Sequence, residues 1–330
     1  MYHGRRGQLT SMTAVAAKIP HFTLNNGVKV PSVGMGCWMG QPGGGEIVEE
    51  MCKNALKVGY RHFDTAFGYG NEEHVGKAIR ESKIPREEIF VTTKLTNKHH
   101  HCVKEGLEMS LRNLGLDYID LYLMHWPQAE IDDRVLDPDE HPTFIDTWKD
   151  MEKLLESGKV RAIGVSNFSI KLLDKLLPQC TVVPATNQVQ LHPCLPQSEL
   201  KIYCEDHGII LTAYSPFGQY NPLFFTDSDF LHIASRHEAT PAQIAISWAV
   251  QRGTIVIPKS SNFERMKQNI SLVTLTEEEM ETINLLHKKP GMHRSLLTHY
   301  AAEGRIFGWT YEQLGWPLGH DGRVIESATD

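Results

Sequence analysis

The chain has 330 residues, of which 41% are hydrophobic and 22% charged, and its formal net charge is −7. This composition supports a sizeable core and argues against nucleic acid or an acidic membrane surface as the main partner. No apolar run is long enough to span a bilayer, and six scattered cysteines without CxxC spacing favour reduced thiols. We therefore expect a cytoplasmic protein that binds neither nucleic acid nor a membrane.

The N-terminal part of the chain predicts a loose extension followed by a hairpin. Residues 1–18 lack the apolar stretch of a secretory signal. Asn26-Gly27 then separates two short apolar runs. Because an Asn-Gly pair supplies the positive φ angles of a tight turn, a β-hairpin is predicted over 21–30. A strand of small residues follows at 33–36, and apolar pairs that recur every four residues from Ile47 to Leu56 predict a helix.

Strand and helix patterns then alternate without interruption. The predicted strands are 61–64, 89–94, 119–124, 160–165, 182–189, 209–214 and 254–257. The predicted helices are 71–82, 103–114, 144–155, 169–177, 196–207, 240–251, one from 262 and one from 276. The last of these begins with a capping box, Thr276-x-x-Glu279. Residues 127–142 and the stretch between 214 and 240 are predicted as loops.

These elements amount to about eight strands, each followed by a helix. Apolar strands of this kind are buried on both faces of a parallel sheet. A doubly wound sheet and a (β/α)8 barrel both fit the alternation, but one unbroken series of this length matches the barrel. We predict an α/β fold, a (β/α)8 TIM barrel over 19–290 with the N-terminal hairpin and an extra C-terminal helix. A tail over 291–330 is expected to pack on or over the barrel.

The carboxyl ends of three consecutive predicted strands carry titratable side chains. Asp64, Lys94 and His125 end these strands, and Tyr69 follows the first of them on a glycine-flanked turn. A free tyrosine ionises near pH 10, so it becomes a useful proton donor at neutral pH only beside a cation. Each residue alone is more often a salt-bridge partner, a core histidine or a surface tyrosine. Together at neighbouring strand ends they predict proton-transfer machinery.

Further polar and aromatic side chains lie at the remaining strand ends. Ser166, Asn167 and Gln188 could hydrogen-bond an amide, and Tyr214 offers a flat face for stacking. For each residue alone, a bond to a turn backbone is about equally plausible.

A second polar group lies where the predicted helix at 262 begins, and a helix N-terminus favours anions. The group predicts a phosphate monoester site, with an ordinary capped helix as the alternative, and it consists of Lys259, Ser260, Ser261, Asn262 and Arg265.

Two other patterns predict no site. Gly34 to Gly40 superficially suggests a dinucleotide fingerprint, but its third glycine is one residue late and no helix opens on it. The run from His99 to Cys102 lacks a second pair of metal ligands, so we expect a solvated loop and no metal.

Taken together, these motifs resemble the aldo-keto reductases over roughly residues 20–290. The resemblance is carried by 59–66, 69–72, Lys94, 125–127, 164–168, 187–188, 212–216 and 257–260. It implies a barrel that binds NADP(H) in an extended form without a Rossmann domain and reduces aldehydes and some ketones. The Gly- and aromatic-rich tail resembles that of fungal members.

The resemblance also implies residue roles. Tyr69 would be the general acid, its pKa lowered by Lys94 paired to Asp64, and His125 would orient the carbonyl. Ser166, Asn167 and Gln188 would hold the nicotinamide carboxamide, and Tyr214 would stack on its ring. The other expected cofactor contacts are Gly36, Cys37, Trp38, Asp64, Ser215, Pro216, Phe217, Gln219, Lys259, Ser260, Ser261, Asn262, Arg265, Gln268 and Asn269. The expected substrate pocket is Trp38, Thr96, Trp126 and Phe307.

Two departures from the family pattern concern glutamines. Gln190 and Gln268 stand where relatives often carry glutamate. We expect little consequence at Gln190 and a less certain adenine contact at Gln268.

Two rival functions remain open. One is a cofactor-binding redox sensor or scaffold of the same fold with little turnover. The other, ranked far lower, is a glycosidase, because that chemistry needs two carboxylates and Asp64 is the only acid in the strand-end set. We also expect a monomer.

Overall fold

The structure, a computed structural model, describes residues 19–219, 223–297 and 304–325. The predicted extension over 1–18 lies outside these residues, as do 298–303 and 326–330 of the tail. Among the helices in the described ranges, none combines the length and the apolar character needed to cross a bilayer. The division into extension, barrel and tail stays a prediction.

The strands number fourteen over the described residues. They are β1 (His21–Thr23), β2 (Lys29–Pro31), β3 (Met35–Gly36), β4 (His62–Asp64), β5 (Phe90–Leu95), β6 (Ile119–Met124), β7 (Glu130–Ile131), β8 (Arg134–Val135), β9 (Val160–Ser166), β10 (Thr186–Gln190), β11 (Ile210–Tyr214), β12 (Ile255–Val256), β13 (Arg305–Ile306) and β14 (Trp309–Thr310).

One or two α-helices follow each strand of the central sheet, and the last helix lies in the tail. They are α1 (Gly45–Val58), α2 (Glu72–Glu81), α3 (Val103–Leu114), α4 (Phe144–Leu154), α5 (Ile170–Leu176), α6 (Ser198–Asp206), α7 (Ser228–Arg236), α8 (Pro241–Gln251), α9 (Phe263–Ile270), α10 (Glu277–Asn284) and α11 (Tyr311–Leu314). Short 3-10 helices occur between them, and the one at Phe67–Tyr69 matters for the site.

The central sheet is a closed parallel barrel. Its order is β3-β4-β5-β6-β9-β10-β11-β12. The ends of this series meet, since Val33 forms a parallel bridge to Val256 and the Gly34 amide donates to the Val256 carbonyl at 2.8 Å. Every residue of β5 and β6 is buried, as expected for strands covered by a filled barrel interior and a ring of helices. The predicted (β/α)8 fold is confirmed.

The β1–β2 hairpin covers the amino-terminal end of the barrel. Leu24 and Val30 pack with Phe90 and Leu121 in a separate apolar cluster there. The Asn26 side chain donates to the Arg161 carbonyl at 2.9 Å. Because this end is covered, the opposite end, where the carboxyl termini of the strands meet, is left for a site.

Three differences from the predicted elements concern the barrel and its loops. The loop predicted over 127–142 contains the β7–β8 hairpin, and the loop after 214 contains α7, whose first amides are capped by Asp227. The strand predicted from 182 begins at Thr186. Its first backbone groups have other partners, because the Glu152 side chain accepts the Val182 amide and Trp148 donates to the Val182 carbonyl.

The described part of the tail lies across loops at the carboxyl end of the barrel. The Gln128 side chain donates to the Ile306 carbonyl at 2.8 Å, and the Trp309 indole donates to the Leu136 carbonyl at 2.7 Å. Ser169, which caps α5, donates to the Leu314 carbonyl at 2.7 Å. These contacts place β13, β14 and α11 beside the rim that carries the candidate site.

Candidate active site

A buried ion pair lies at the centre of the site. The Lys94 ammonium donates to Asp64 Oδ1 at 2.6 Å and to the Thr65 carbonyl at 2.8 Å, and Lys94 is 0% exposed. Asp64 ends β4, and the parallel register that pairs it with Thr92 sets Lys94 two residues further along β5. A lysine that is shielded from solvent needs a paired carboxylate. The ion pair therefore links the carboxyl ends of β4 and β5.

Tyr69 completes the group on the turn that follows β4. The 3-10 turn Phe67–Tyr69 ends at Gly70, whose φ of 62° allows the chain to enter α2. This turn brings the Tyr69 hydroxyl to 3.3 Å from Lys94 Nζ. The Tyr69 ring centroid lies 4.9 Å from that of Trp38 and 5.6 Å from that of His125. All four predicted catalytic residues therefore lie together at one end of the barrel.

The surroundings shift the pKa values of Tyr69, Lys94 and His125. Burial raises the pKa of Tyr69, and the Lys94 charge, which lowers this pKa, only partly offsets the effect. The expected lowering is thus one contribution, outweighed because burial disfavours a phenolate and Asp64 opposes Lys94. For Lys94, burial acts to lower the pKa, but Asp64 and Tyr69 together hold this pKa above its ordinary value. Burial, helped by the Lys94 charge, lowers the pKa of His125 well below its ordinary range, so the imidazole is neutral.

The predicted amide-binding residues form one network with the ion pair. The Tyr214 hydroxyl donates to Asn167 Oδ1 at 2.9 Å, and the Asn167 amide donates to Ser166 Oγ at 3.1 Å. The Gln188 amide donates to Asp64 Oδ2 at 2.7 Å. The second carboxylate oxygen of Asp64 is therefore satisfied from β10. Through Asp64, these groups are connected to the ion pair beside Tyr69.

The predicted anion-binding residues surround the start of α9. Asn262 caps the helix by accepting the Arg265 amide at 2.9 Å, and Ser260 accepts the Asn262 amide at 3.2 Å. Lys259 and Arg265 are exposed, whereas nearby Lys267 pairs with Glu264 at 2.9 Å.

The remaining predicted cofactor residues differ in their surroundings. A Cβ on Gly36 would lie 2.7 Å from the Ile257 carbonyl oxygen, so this end of β3 requires glycine. Ser215 and Gln219 have positive φ angles in the loop after β11, where Pro216 and Phe217 also lie. Gln268 is exposed, but Asn269 is buried beside the Tyr60 hydroxyl.

The predicted substrate residues lie along the rim, but not equivalently. Trp126 is only 6% exposed because Phe307 covers it, with ring centroids 5.2 Å apart. Phe307 itself is 56% exposed, while Trp38 and Thr96 are half-buried. The main apolar surfaces open to a ligand are thus Trp38 and the tail residue Phe307.

The sequence analysis missed two contacts around the site. The Phe67 ring contacts that of His99 in a tilted arrangement with centroids 4.9 Å apart, and its position two residues before Tyr69 was the available signal. Gln190 accepts from the Ser295 hydroxyl at 2.8 Å and lies 2.9 Å from His192. This glutamine joins the tail to β10, a role that the expectation of little consequence did not include. In the described ranges no group of three or more His, Cys, Asp or Glu side chains is arranged to hold a metal ion.

Known proteins with the same sequence pattern provide an independent comparison. Residues 32–288 match the family model described as "Aldo/keto reductase family". Aldehyde reductase YPR1 of Saccharomyces cerevisiae is 44% identical over 82% of this chain and 92% of its own length. Glycerol 2-dehydrogenase (NADP(+)) of the same yeast is 43% identical with the same coverage. The solved structure of a Bombyx mori aldo-keto reductase in complex with NADP is 37% identical, covers 82% of this chain and 94% of that one, and superimposes with a TM-score of 0.77.

The ion pair generates a prediction about stability. Lys94→Met leaves the buried Asp64 carboxylate without its cation, and Asp64→Asn leaves Lys94 without its anion. Each single variant should lose about 3–5 kcal/mol of unfolding free energy, measured by denaturant titration. The double variant should lose less than the sum of the two, because it removes both charges. Additive losses would show that the pair is not energetically coupled.

Proposed function

The chain belongs to the aldo/keto reductase family, and we propose that it reduces aldehydes and some ketones to alcohols with NADPH as the reductant. The observation that carries the proposal is the position of Lys94 Nζ, bonded to Asp64 and 3.3 Å from the Tyr69 hydroxyl. This arrangement places a cation beside a phenol that must give up a proton.

The residues at the strand ends fit such a cofactor. Ser166, Asn167 and Gln188 offer amide and hydroxyl groups for a carboxamide, and Tyr214 offers a ring for stacking. The left-handed backbone of Ser215 and Gln219 fits a close approach to the pyrophosphate. The exposed cations and capped helix at the start of α9 fit a phosphate monoester. When bound, NADPH supplies a hydride to the carbonyl carbon.

The protein side chains handle the proton. Tyr69 donates its hydroxyl proton to the carbonyl oxygen as the alkoxide forms, and the phenolate left behind is stabilised by the Lys94 ammonium 3.3 Å away. Neutral His125, beside the Tyr69 ring, hydrogen-bonds the same carbonyl oxygen and orients it. The net change is one hydride and one proton added to the carbonyl, and Tyr69 regains a proton from water.

A redox sensor or scaffold with the same fold is the second candidate. The complete set of acid, cation, carboxylate and imidazole favours the enzyme, because a scaffold has no need of it. Bound NADPH without aldehyde-dependent NADPH oxidation would favour the scaffold.

We also propose that the chain acts as a monomer in the cytoplasm, in keeping with its composition and reduced cysteines.

Tyr69→Phe should abolish most of the turnover. The change removes the proton donor but keeps the ring that contacts Trp38 and His125. General acid catalysis contributes about 10²–10⁴-fold, so kcat for aldehyde reduction should fall by that factor while the Kd for NADPH stays nearly unchanged. The matched control is Tyr203→Phe on α6, which should keep wild-type kcat. Near-normal turnover of the Tyr69 variant would exclude it as the acid.

Arg265→Ala should erode the preference for NADPH over NADH. Only NADPH carries the 2′-phosphate, and a charge-assisted hydrogen bond contributes about 1.5–3 kcal/mol, or roughly one to two decades of affinity. Fluorescence titration should therefore show a weaker Kd for NADPH and little change for NADH. The control is Lys267→Ala, a cation on the same helix that pairs with Glu264. Equal losses for both cofactors in Arg265→Ala would refute the phosphate assignment.

Aromatic and medium-chain aldehydes should be better substrates than open-chain sugars or uronic acids. The rim offers Trp38 and Phe307 as apolar surfaces. The guanidinium of Arg305, a nearby cation that could attract an anionic substrate, donates to the Gly308 carbonyl. Phe307→Ala should lower kcat/KM for a benzaldehyde roughly threefold to tenfold, the value of one aromatic contact, and leave glyceraldehyde almost unchanged.

Trp126→Ala tests whether Trp126 supports the pocket residue Phe307 from beneath. Because Trp126 lies under Phe307, this variant should lower the melting temperature as well as the preference for the aromatic substrate. A wild-type preference for a uronic acid over the benzaldehyde would contradict an apolar pocket.

A further inference from the structure

Asn71 occupies the N-cap position of α2, directly after the turn that carries Tyr69. An asparagine at this position normally accepts a hydrogen bond from an amide of the first turn through its side chain. The Asn71 side chain makes no such bond. Only its backbone carbonyl is used by the helix, accepting the His74 and Val75 amides at 3.1 and 3.2 Å. The helix therefore goes without the side-chain cap that the residue could supply.

Both ends of the Asn71 side chain instead bind the mouth of the barrel. Nδ2 donates to the Cys37 carbonyl at 2.9 Å, and Oδ1 accepts from the Thr65 hydroxyl at 2.8 Å. Cys37 directly follows β3 and Thr65 directly follows β4, and all three residues are buried. One amide thus fixes the spacing of two neighbouring strand ends.

These two strand ends bear directly on Tyr69. The Thr65 carbonyl accepts from Lys94 Nζ at 2.8 Å, so the residue held by Asn71 is also the one that fixes the ammonium. On the other side, Cys37 precedes Trp38, whose ring lies 4.9 Å from that of Tyr69. The Tyr69 carbonyl accepts the Gly43 amide from the same segment at 2.7 Å. The phenol is enclosed by two segments that Asn71 joins.

We propose that Asn71 is a positioning residue for the proton transfer, one that holds Trp38 and Lys94 on either side of Tyr69 and so keeps the hydroxyl aligned with the ammonium. The inference rests on the proposed function and deepens it. It also explains the missing helix cap, because the amide cannot serve the helix and the barrel mouth at once.

The consequence for pH dependence follows from the charges around the hydroxyl. Lys94 from β5, Asp64 from β4, Cys37 after β3 and neutral His125 after β6 face it. Among the first three, Lys94 lowers the pKa of Tyr69, and Asp64 and Cys37 raise it. Reduction requires a protonated Tyr69, so its rate declines as pH rises through this pKa. If Lys94 moves away, the pKa rises and the decline shifts to higher pH.

Asn71→Ser and Asn71→Asp test the proposal without weakening α2, because both residues are good N-caps. Serine is too short to bind both partners, and aspartate keeps the acceptor for Thr65 but loses the donor to Cys37. For both, kcat for aldehyde reduction should fall roughly tenfold to a hundredfold, as for a small misplacement of a reacting group. The Kd for NADPH should change much less than kcat. In Asn71→Ser, which adds no charge, the high-pH decline should move up by about half a unit or more.

A second readout needs no turnover. Ultraviolet difference titration of tyrosinate in the protein without cofactor, with Tyr69→Phe as the reference, should show the same upward shift. Thr65→Val removes the hydroxyl bound by Asn71 and should reproduce part of the effect, with losses that are not additive to those of Asn71→Ser. The control is Asn113→Ser, which breaks a bond to the neighbouring Glu72 and should leave kcat and the pH profile unchanged.

The outcomes separate two failures. A lower melting temperature with an unshifted pH profile in Asn71→Ser would mean a purely structural role and overturn the proposal, as would wild-type kcat in both Asn71 variants. Wild-type protein that never oxidises NADPH with any aldehyde would instead overturn the proposed function. The tyrosinate titration would still decide whether Asn71 positions Tyr69.

Discussion

The burial of one ammonium group constrains the whole mouth of the barrel. Lys94 is 0% exposed, and an ion removed from water must be paired and hydrogen-bonded to be tolerated. Its contacts come from Asp64, the Thr65 carbonyl and the Tyr69 hydroxyl. Satisfying this one cation therefore sets the relative positions of β4, β5 and the turn at Phe67–Tyr69. The contacts that compensate for burying the Lys94 charge also place this charge where a Tyr69 phenolate would form. The same geometry therefore serves the stability of the fold and the proposed proton transfer.

The closed barrel is what makes this concentration of polar groups possible. Parallel strands present all their carboxyl ends on one side, so residues far apart in sequence meet there. Gln188 reaches Asp64 across 124 positions of the chain. The hairpin covers the amino-terminal end of the barrel, so the carboxyl-terminal end is the one left for a site. Hydrogen bonds run from Tyr214 through Asn167 and Ser166 to the Gln188 carbonyl, and the Gln188 side chain continues the network to Asp64.

The sequence predicted the barrel, and that Asp64, Tyr69, Lys94 and His125 meet at one end of it, because strand and helix periods are local and strand ends are countable. It could not predict contacts set by distant packing. The late start of β10 depends on Glu152 and Trp148 of α4. The direction in which the pKa of Tyr69 is shifted depends on burial, and burial cannot be read from the spacing of residues in the sequence. Asn71 at a helix start would ordinarily be a cap, and its partner Cys37 lies 34 positions away. Helix α7 is different, because Phe230, Ile233 and Ala234 carried a helical spacing that could have been recognised.

Two departures from local preference lie at the same end of the barrel. Asn71 leaves its helix without a side-chain cap, and Phe307 has a φ of 44° in the two-residue turn between β13 and β14. Turns of this kind favour asparagine or glycine at that position, and an aromatic residue there costs of order 1–3 kcal/mol. The strained turn places the Phe307 ring over Trp126. A smaller residue at this position would leave the Trp126 ring uncovered. Sequences usually agree with their local structure except where a site demands otherwise. Asn71 joins the segments around Tyr69, and Phe307 covers the residue that follows His125. In both cases an unfavourable local choice is offset by contacts around the candidate site, as expected if this end of the barrel holds the site.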